Sequence, residues 1–255
     1  MRSQGPNNHT APEFAMAPIP DEQWSVYREV IAQARERGIR FALGGGLAVS
    51  VYTGHWRASK DIDIYVLPQD RQTMIDITRR IGLADMHDQR PYDRTWIYRS
   101  SLNDVIVDVM WAMANHRAPV DESWLLCGAE LHVNGEHLRV LPVEEMIWDK
   151  LYVLQRDRCD WPEALKLLYA AGPTLDWQHL FERVGDDIPL LAGALAVFRW
   201  ICPGRSLSLP GWIWERVRML PPSDVRPEAL PDTDRSRVDL LDRRKWFAAT
   251  EPALC

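Results

Sequence analysis

The chain has 255 residues, 46% of them hydrophobic and 26% charged, with a formal net charge of −6. That is enough apolar material for one large domain or two small ones, and the acidic balance excludes a general basic footprint for nucleic acid, leaving a local basic patch or a small-molecule or protein partner open. Cys127, Cys159, Cys202 and Cys255 lack metal-type spacing and read as free thiols of a reducing cytoplasm; no apolar run approaches the roughly 20 residues that span a bilayer, and no signal-peptide core is present, so no membrane partner is expected.

Residues 1–19 are rich in Asn, Pro and small side chains and are expected to form a disordered leader. Asp21 reads as the N-cap of a helix from Glu22 to Arg37, with Trp24, Tyr27, Val30, Ile31 and Ala34 at helical spacing and Gly38 ending it. Phe41-Ala42-Leu43 reads as a short buried strand. Gly44-Gly45-Gly46 ends it, and Leu47, Ala48, Val49, Val51 and Tyr52 then read as a helix. Glycine lets a backbone approach a ligand closely, and a helix N-terminus offers free N–H groups to phosphate.

Asp61 to Val66 is the next strand. Ile62, Ile64 and Val66 share one face by the period of two, which puts Asp61 and Asp63 together on the other. Two neighbouring carboxylates repel and are costly on a half-buried strand unless a cation sits between them. Magnesium suits such a pair, since it is hard, takes oxygen ligands and binds through one or two carboxylates plus substrate phosphates. An ordinary solvated face with two acids is the plain alternative. Pro68 closes the strand, and Arg71 to Ile81 is a helix with Met74, Ile75, Ile77 and Ile81 inward. The strand–helix–strand crossing implies an α/β (α+β) class, a mixed β-sheet backed by helices.

Residues 92–99 and 103–111 read as strands around a turn at Ser100-Ser101-Leu102-Asn103. Asp108 lies inside the apolar run of the second strand, where an acid is rare unless paired or bound to metal. Asp104 shares its parity but lies nearer the turn. Residues 130–141 form a hairpin, with Asn134-Gly135 as a type I′ turn. Pro142 opens a helix from about Val143 to Arg156, followed by a helix from Trp161 to Ala171. Further helices are expected at 176–184, 187–201 and 211–219. Leu190, Leu191, Leu195, Val197, Phe198 and Trp200 make an apolar surface suited to a bundle core or an acceptor groove.

Gly45-Gly46, the 14 residues from 47 to 60, and Asp61-Ile62-Asp63-Ile64 resemble the signature of the nucleotidyltransferase superfamily, the DNA polymerase beta-like fold. The stretch from Gly54 to Asp63 is similar to that of small bacterial members, the nucleotidyltransferase toxins of abortive-infection systems and the antibiotic nucleotidyltransferases. Gly46 stands where serine is frequent, and the gap to the first Asp is slightly long. The resemblance spans roughly residues 36–172. It implies a nucleotidyltransferase catalytic domain over 20–141, followed by a helical C-terminal domain over 142–219; from Leu220 onward Pro221-Pro222, Pro227 and Pro231 break periodicity, and 220–255 reads as an irregular Pro-rich tail.

It further implies Mg2+ (or Mn2+) at Asp61, Asp63 and Asp108, with Asp108 as the third carboxylate. Gly45 and Gly46 would meet the phosphates of a nucleoside triphosphate such as ATP. Arg57, Lys60 and the helical Lys150 are candidate counter-charges. His116 is either near the acceptor or an ordinary surface histidine. The implied reaction moves a nucleoside monophosphate to an acceptor hydroxyl of RNA, as a toxin would, or of a small molecule or protein. Two other readings stay open: a catalytically weak nucleotide-binding relative acting as a sensor or complex subunit, and a structural protein with coincidental acids.

Overall fold

The computed structural model describes residues 19–55, 59–114, 116–155 and 158–218. The expected leader up to residue 18, the tail from residue 220, and Arg57 lie outside the described residues; Ile19, the last residue of that leader, is buried. The chain divides into two compact units, Met1–Met146 and Ile147–Cys255.

In the first unit, helix α1 (Asp21–Glu36) buries the expected stripe of Trp24, Tyr27, Val30, Ile31 and Ala34. It starts one residue earlier than its sequence suggests, so that Asp21 and Glu22 both stand in the first turn, where the helix dipole favours negative charge. Five strands follow: β1 (Phe41–Leu43), β2 (Asp61–Val66), β3 (Ala84–Asp85), β4 (Ile97–Leu102) and β5 (Val105–Met110). Their order is β1-β2-β5-β4-β3; β2 and β5 pair in parallel and the other pairs are antiparallel, which is the mixed sheet expected. Helix α2 (Gly45–Thr53) joins β1 to β2, and α3 (Arg71–Ile81) opens the crossover that a parallel pair requires.

The β4–β5 turn falls at Asn103-Asp104, with φ of 49° and 65°, not at Ser100–Asn103. Both central residues are left-handed, as a type I′ turn demands, and Asn and Asp tolerate that conformation better than other side-chain-bearing residues. Ser100 and Ser101 are thereby drawn into the ladder, opposite Val107 and Ile106. Helix α4 (Glu122–Leu126) is capped by the Asp121 carboxylate, which accepts from the Ser123 N–H at 2.9 Å. The hairpin β6 (Glu130–Val133) and β7 (Glu136–Arg139) turns on Asn134 and Gly135, both at positive φ.

Helix α5 (Val143–Leu151) is shorter than its sequence suggests. Beyond it, among the described residues, Asp160 N–H donates to the Val153 carbonyl at 2.9 Å and Leu154 bridges Cys159. The second unit is helical: α6 (Trp161–Ala171), α7 (Trp177–Val184), α8 (Ile188–Ile201), α9 (Pro203–Ser206) and α10 (Gly211–Arg216). Leu167, Leu180, Phe181, Leu191, Leu195, Phe198 and Ile213 fill its core. Trp200, expected on the apolar surface, is 83% exposed.

Candidate active site

The site is built on β2 and β5. Ile62, Ile64 and Val66 are fully buried on one face of β2, and Asp61 and Asp63 are half-buried on the other. The parallel register sets Asp63 opposite Asp108, and the antiparallel register of the next pair sets Asp108 opposite Arg99. Side chains directly opposite share a face, so Asp63, Asp108 and Arg99 form a row across three strands. One carboxylate oxygen each from Asp61, Asp63 and Asp108 lies within 4.8 Å of the others. Like charges that close cost on the order of 3 kcal/mol per pair at an effective dielectric near that of a protein surface. A cluster of hard oxygens suits a divalent ion of the magnesium type, whose bonds of about 2.0–2.1 Å would draw the carboxylates somewhat closer together.

Arg99 brings a positive charge to this cluster. Its Nε donates to Asp108 Oδ1 at 2.8 Å and Oδ2 at 3.1 Å, and a terminal nitrogen donates to Oδ2 as well. Asp108 is 0% exposed, whereas the Arg99 side chain is one-third exposed. Its bonds to Asp108 raise the basicity of the guanidinium above its ordinary value against the opposing effect of burial, and Asp61 and Asp63 add to the rise. Sequence reasoning passed over Arg99 because it misplaced the turn. A hairpin centred on 103/104 pairs residue 108 with 99, whereas one centred on 101/102 pairs it with Thr95. The Asn-Asp dipeptide was the signal for the correct centre.

The glycines meet the acids directly. Gly44 N–H donates to the Asp63 carbonyl at 2.9 Å. Gly45 opens α2 at φ +54°, and a Cβ placed there would lie 1.6 Å from Asp63 Oδ2. Gly45 is thus required both by its conformation and by the carboxylate packed against it. Gly46 is the second residue of α2. The first-turn N–H groups of a helix have no acceptor within it, so α2 presents N–H donors without an intrahelical partner beside Asp63.

The entrance to β2 is tied from α1. Gln23 Nε2 donates to the Ser59 carbonyl at 2.8 Å and to the Tyr27 hydroxyl at 2.6 Å, and Ser59 Oγ donates to Asp61 Oδ1. Burial pushes the Tyr27 hydroxyl well above its ordinary pKa, and the charges of Asp61, Asp63 and Asp108 push the same way. Tyr27 therefore stays a neutral phenol beneath the acids.

Lys60 is exposed at the start of β2, one residue out of phase with the acids. His116 is half-exposed and meets Asp93 Oδ2 at 3.0 Å. Lys150 belongs to the second unit, with its side chain 7% exposed. Its Nζ lies 2.7 Å from Glu163 and 3.7 Å from Asp160. Burial works to lower its pKa, but these two carboxylates outweigh it and hold the ammonium above its ordinary value. The expected phosphate counter-charge is a cation already matched within its own unit.

A family model described as "Nucleotidyl transferase of unknown function (DUF2204)" matches residues 23–184. No curated protein matches the chain. Among solved structures, ANT(2″)-Ia in complex with adenylyl-2″-tobramycin is 20% identical, covering 71% of this chain and 98% of its own, with a TM-score of 0.41. The lincosamide antibiotic adenylyltransferase LnuA, lincomycin-bound, is 16% identical, covering 59% and 98%, at 0.42. An antigenic nucleotidyltransferase-like protein from Paracoccidioides brasiliensis is 14% identical, covering 78% and 100%, at 0.44.

Proposed function

The chain belongs to the family of nucleotidyl transferases of unknown function, and from that premise we propose that it is a divalent-metal-dependent enzyme moving a nucleoside monophosphate from a nucleoside triphosphate to an acceptor hydroxyl. The observation that carries the reading is the convergence of Asp61, Asp63 and Asp108 beside the glycine-opened helix α2. In the reaction, the acceptor oxygen bonds to the alpha phosphorus, the bond from that phosphorus to the beta-phosphate bridge breaks, and pyrophosphate leaves.

Asp61 and Asp63 would hold Mg2+ or Mn2+, with Asp108 as the third ligand. Such an ion, when bound, offsets the charge that builds on the phosphoryl oxygens. Asp108 would also take the proton of the acceptor hydroxyl onto a carboxylate oxygen. The N–H groups of Gly45 and Gly46 would receive the beta and gamma phosphates, an arrangement that a helix N-terminus favours. Lys60 and Arg57 are the counter-charges of this proposal. Lys150 takes a structural part instead, because Glu163 and Asp160 already compensate it. The catalytic part would lie in the first unit and the acceptor-selecting part in the helical second unit, with RNA, a small molecule or a protein as the acceptor.

The grip of Arg99 on Asp108 favours a second reading, a weakly catalytic nucleotide-binding protein acting as a sensor or complex subunit. Incubation with each alpha-labelled nucleoside triphosphate, magnesium and total cellular RNA separates the two. Label moving to RNA, and lost in Asp63→Asn, supports a transferase with an RNA acceptor and names its base. Triphosphate binding without pyrophosphate release supports the second reading.

A further inference from the structure

Asp108 differs from the other two acids. It is fully buried, and both of its oxygens are taken by one guanidinium. A carboxylate offers about four lone-pair directions, and Arg99 engages both oxygens with two N–H groups, the Nε–H shared between Oδ1 and Oδ2 and a terminal N–H on Oδ2. A planar fork on a carboxylate is the strongest form of such a pair, because charge and geometry act together. Asp61 is bonded differently: Ser59 Oγ holds Oδ1 with a neutral hydroxyl and leaves its charge uncompensated by that bond. The row of Asp63, Asp108 and Arg99 therefore has a fixed cation at one end and carboxylates at the other.

We infer that Arg99 is a positioning residue which aims the Asp108 carboxylate and stands as the cation beside it. While Arg99 grips Asp108 the centre takes one divalent ion, at Asp61 and Asp63; when Arg99 lets go, Asp108 becomes the third ligand and the centre admits a second ion. This deepens the metal-site reading above and rests on it. Arg99 acts through Asp108 rather than on substrate. A purely structural Arg99 would affect folding but leave the number of bound ions unchanged.

The test uses the full chain and manganese alone, with bound Mn2+ counted by loss of the free-ion spectroscopic signal and by calorimetry. The wild-type protein is expected to bind one ion per chain. Arg99→Gln is expected to bind a second, or to bind manganese at least ten-fold more tightly, and Arg99→Gln/Asp108→Asn is expected to lose that gain. Arg99→Lys keeps the charge without the fork and stands between; it carries the test if Arg99→Gln does not fold. Equal stoichiometry and affinity in wild type, Arg99→Gln and Arg99→Lys, with binding lost in Asp63→Asn, overturns the role of Arg99 and leaves the metal site standing. Two equally tight ions in the wild-type protein also overturn it. No manganese binding by any of these proteins overturns this inference and the metal-site reading together.

Discussion

Replacing Gly45 with alanine tests the site at its tightest point. Two costs add there. The backbone at Gly45 has φ +54°, and a left-handed conformation costs an alanine about 1–2 kcal/mol. For a chain of this size that lowers the melting temperature by roughly 2–8 °C. The second cost is steric and falls on Asp63. The new Cβ would sit 1.6 Å from Oδ2, whereas real Cβ contacts essentially never fall under 3.0 Å, so the two must separate by 3.0 − 1.6 = 1.4 Å. Moving a reacting group by about 1 Å can cost on the order of 100-fold in rate. Gly45→Ala is therefore expected to fold, to melt a few degrees lower, and to lose about two orders of magnitude in pyrophosphate release. Gly38→Ala is the control. Gly38 is also left-handed, at φ +67°, but a Cβ there meets nothing within 4 Å, so it should show the thermal loss and keep full turnover. A folded Gly45→Ala protein with wild-type turnover would refute the reasoning, as would equal loss of activity in both variants.

Asp63→Asn should abolish transfer while keeping the fold, because it removes one of three repelling charges; calorimetry with manganese should show a weakened or absent site, and unchanged binding would count against it. Lys150→Met strips a buried partner from Glu163 and Asp160. Thermal or urea unfolding should show a loss of up to about 3 kcal/mol, at the lower end of what removing one partner of a buried pair costs, because Arg158 still pairs with Asp160; a raised KM for triphosphate with no stability loss would restore Lys150 to the phosphates. Burial, together with the Asp85 carboxylate, pushes the Tyr92 hydroxyl up to about 12 from an ordinary 10.0. The folded state thus holds this proton more tightly than the unfolded one, so the stability it contributes is present below pH 10 and is lost as pH rises toward about 12. Tyr92→Phe should flatten that alkaline limb of the unfolding curve, and an unaltered limb would exclude Tyr92 as its source.

The elements that carry the site were legible because their signals are local. The buried stripe of α1, the inward residues Met74 and Ile77 of α3 and the Asn134-Gly135 turn all follow from spacing within a dozen residues. So does the pairing of Asp61 and Asp63 on one face of β2, because alternate strand residues share a face whatever the strand pairs with. The unusual placement of Asp108 inside an apolar run was visible for the same reason.

What periodicity cannot supply is register, since a shift of one residue turns every side chain of a strand to the other face. The folded sheet sets Asp63 opposite Asp108 although 45 residues separate them in the chain, and a turn two residues later than expected sets Arg99 on the other side of Asp108. Lys150 shows the same limit from the opposite direction. Its position in a helix was evident, but its partners Asp160 and Glu163 come from beyond the end of α5. Residue types and their alternation along single strands were determined by the sequence. Which charges face one another was decided by the tertiary structure, because Coulomb energy depends on distances that only the packed sheet and helices define.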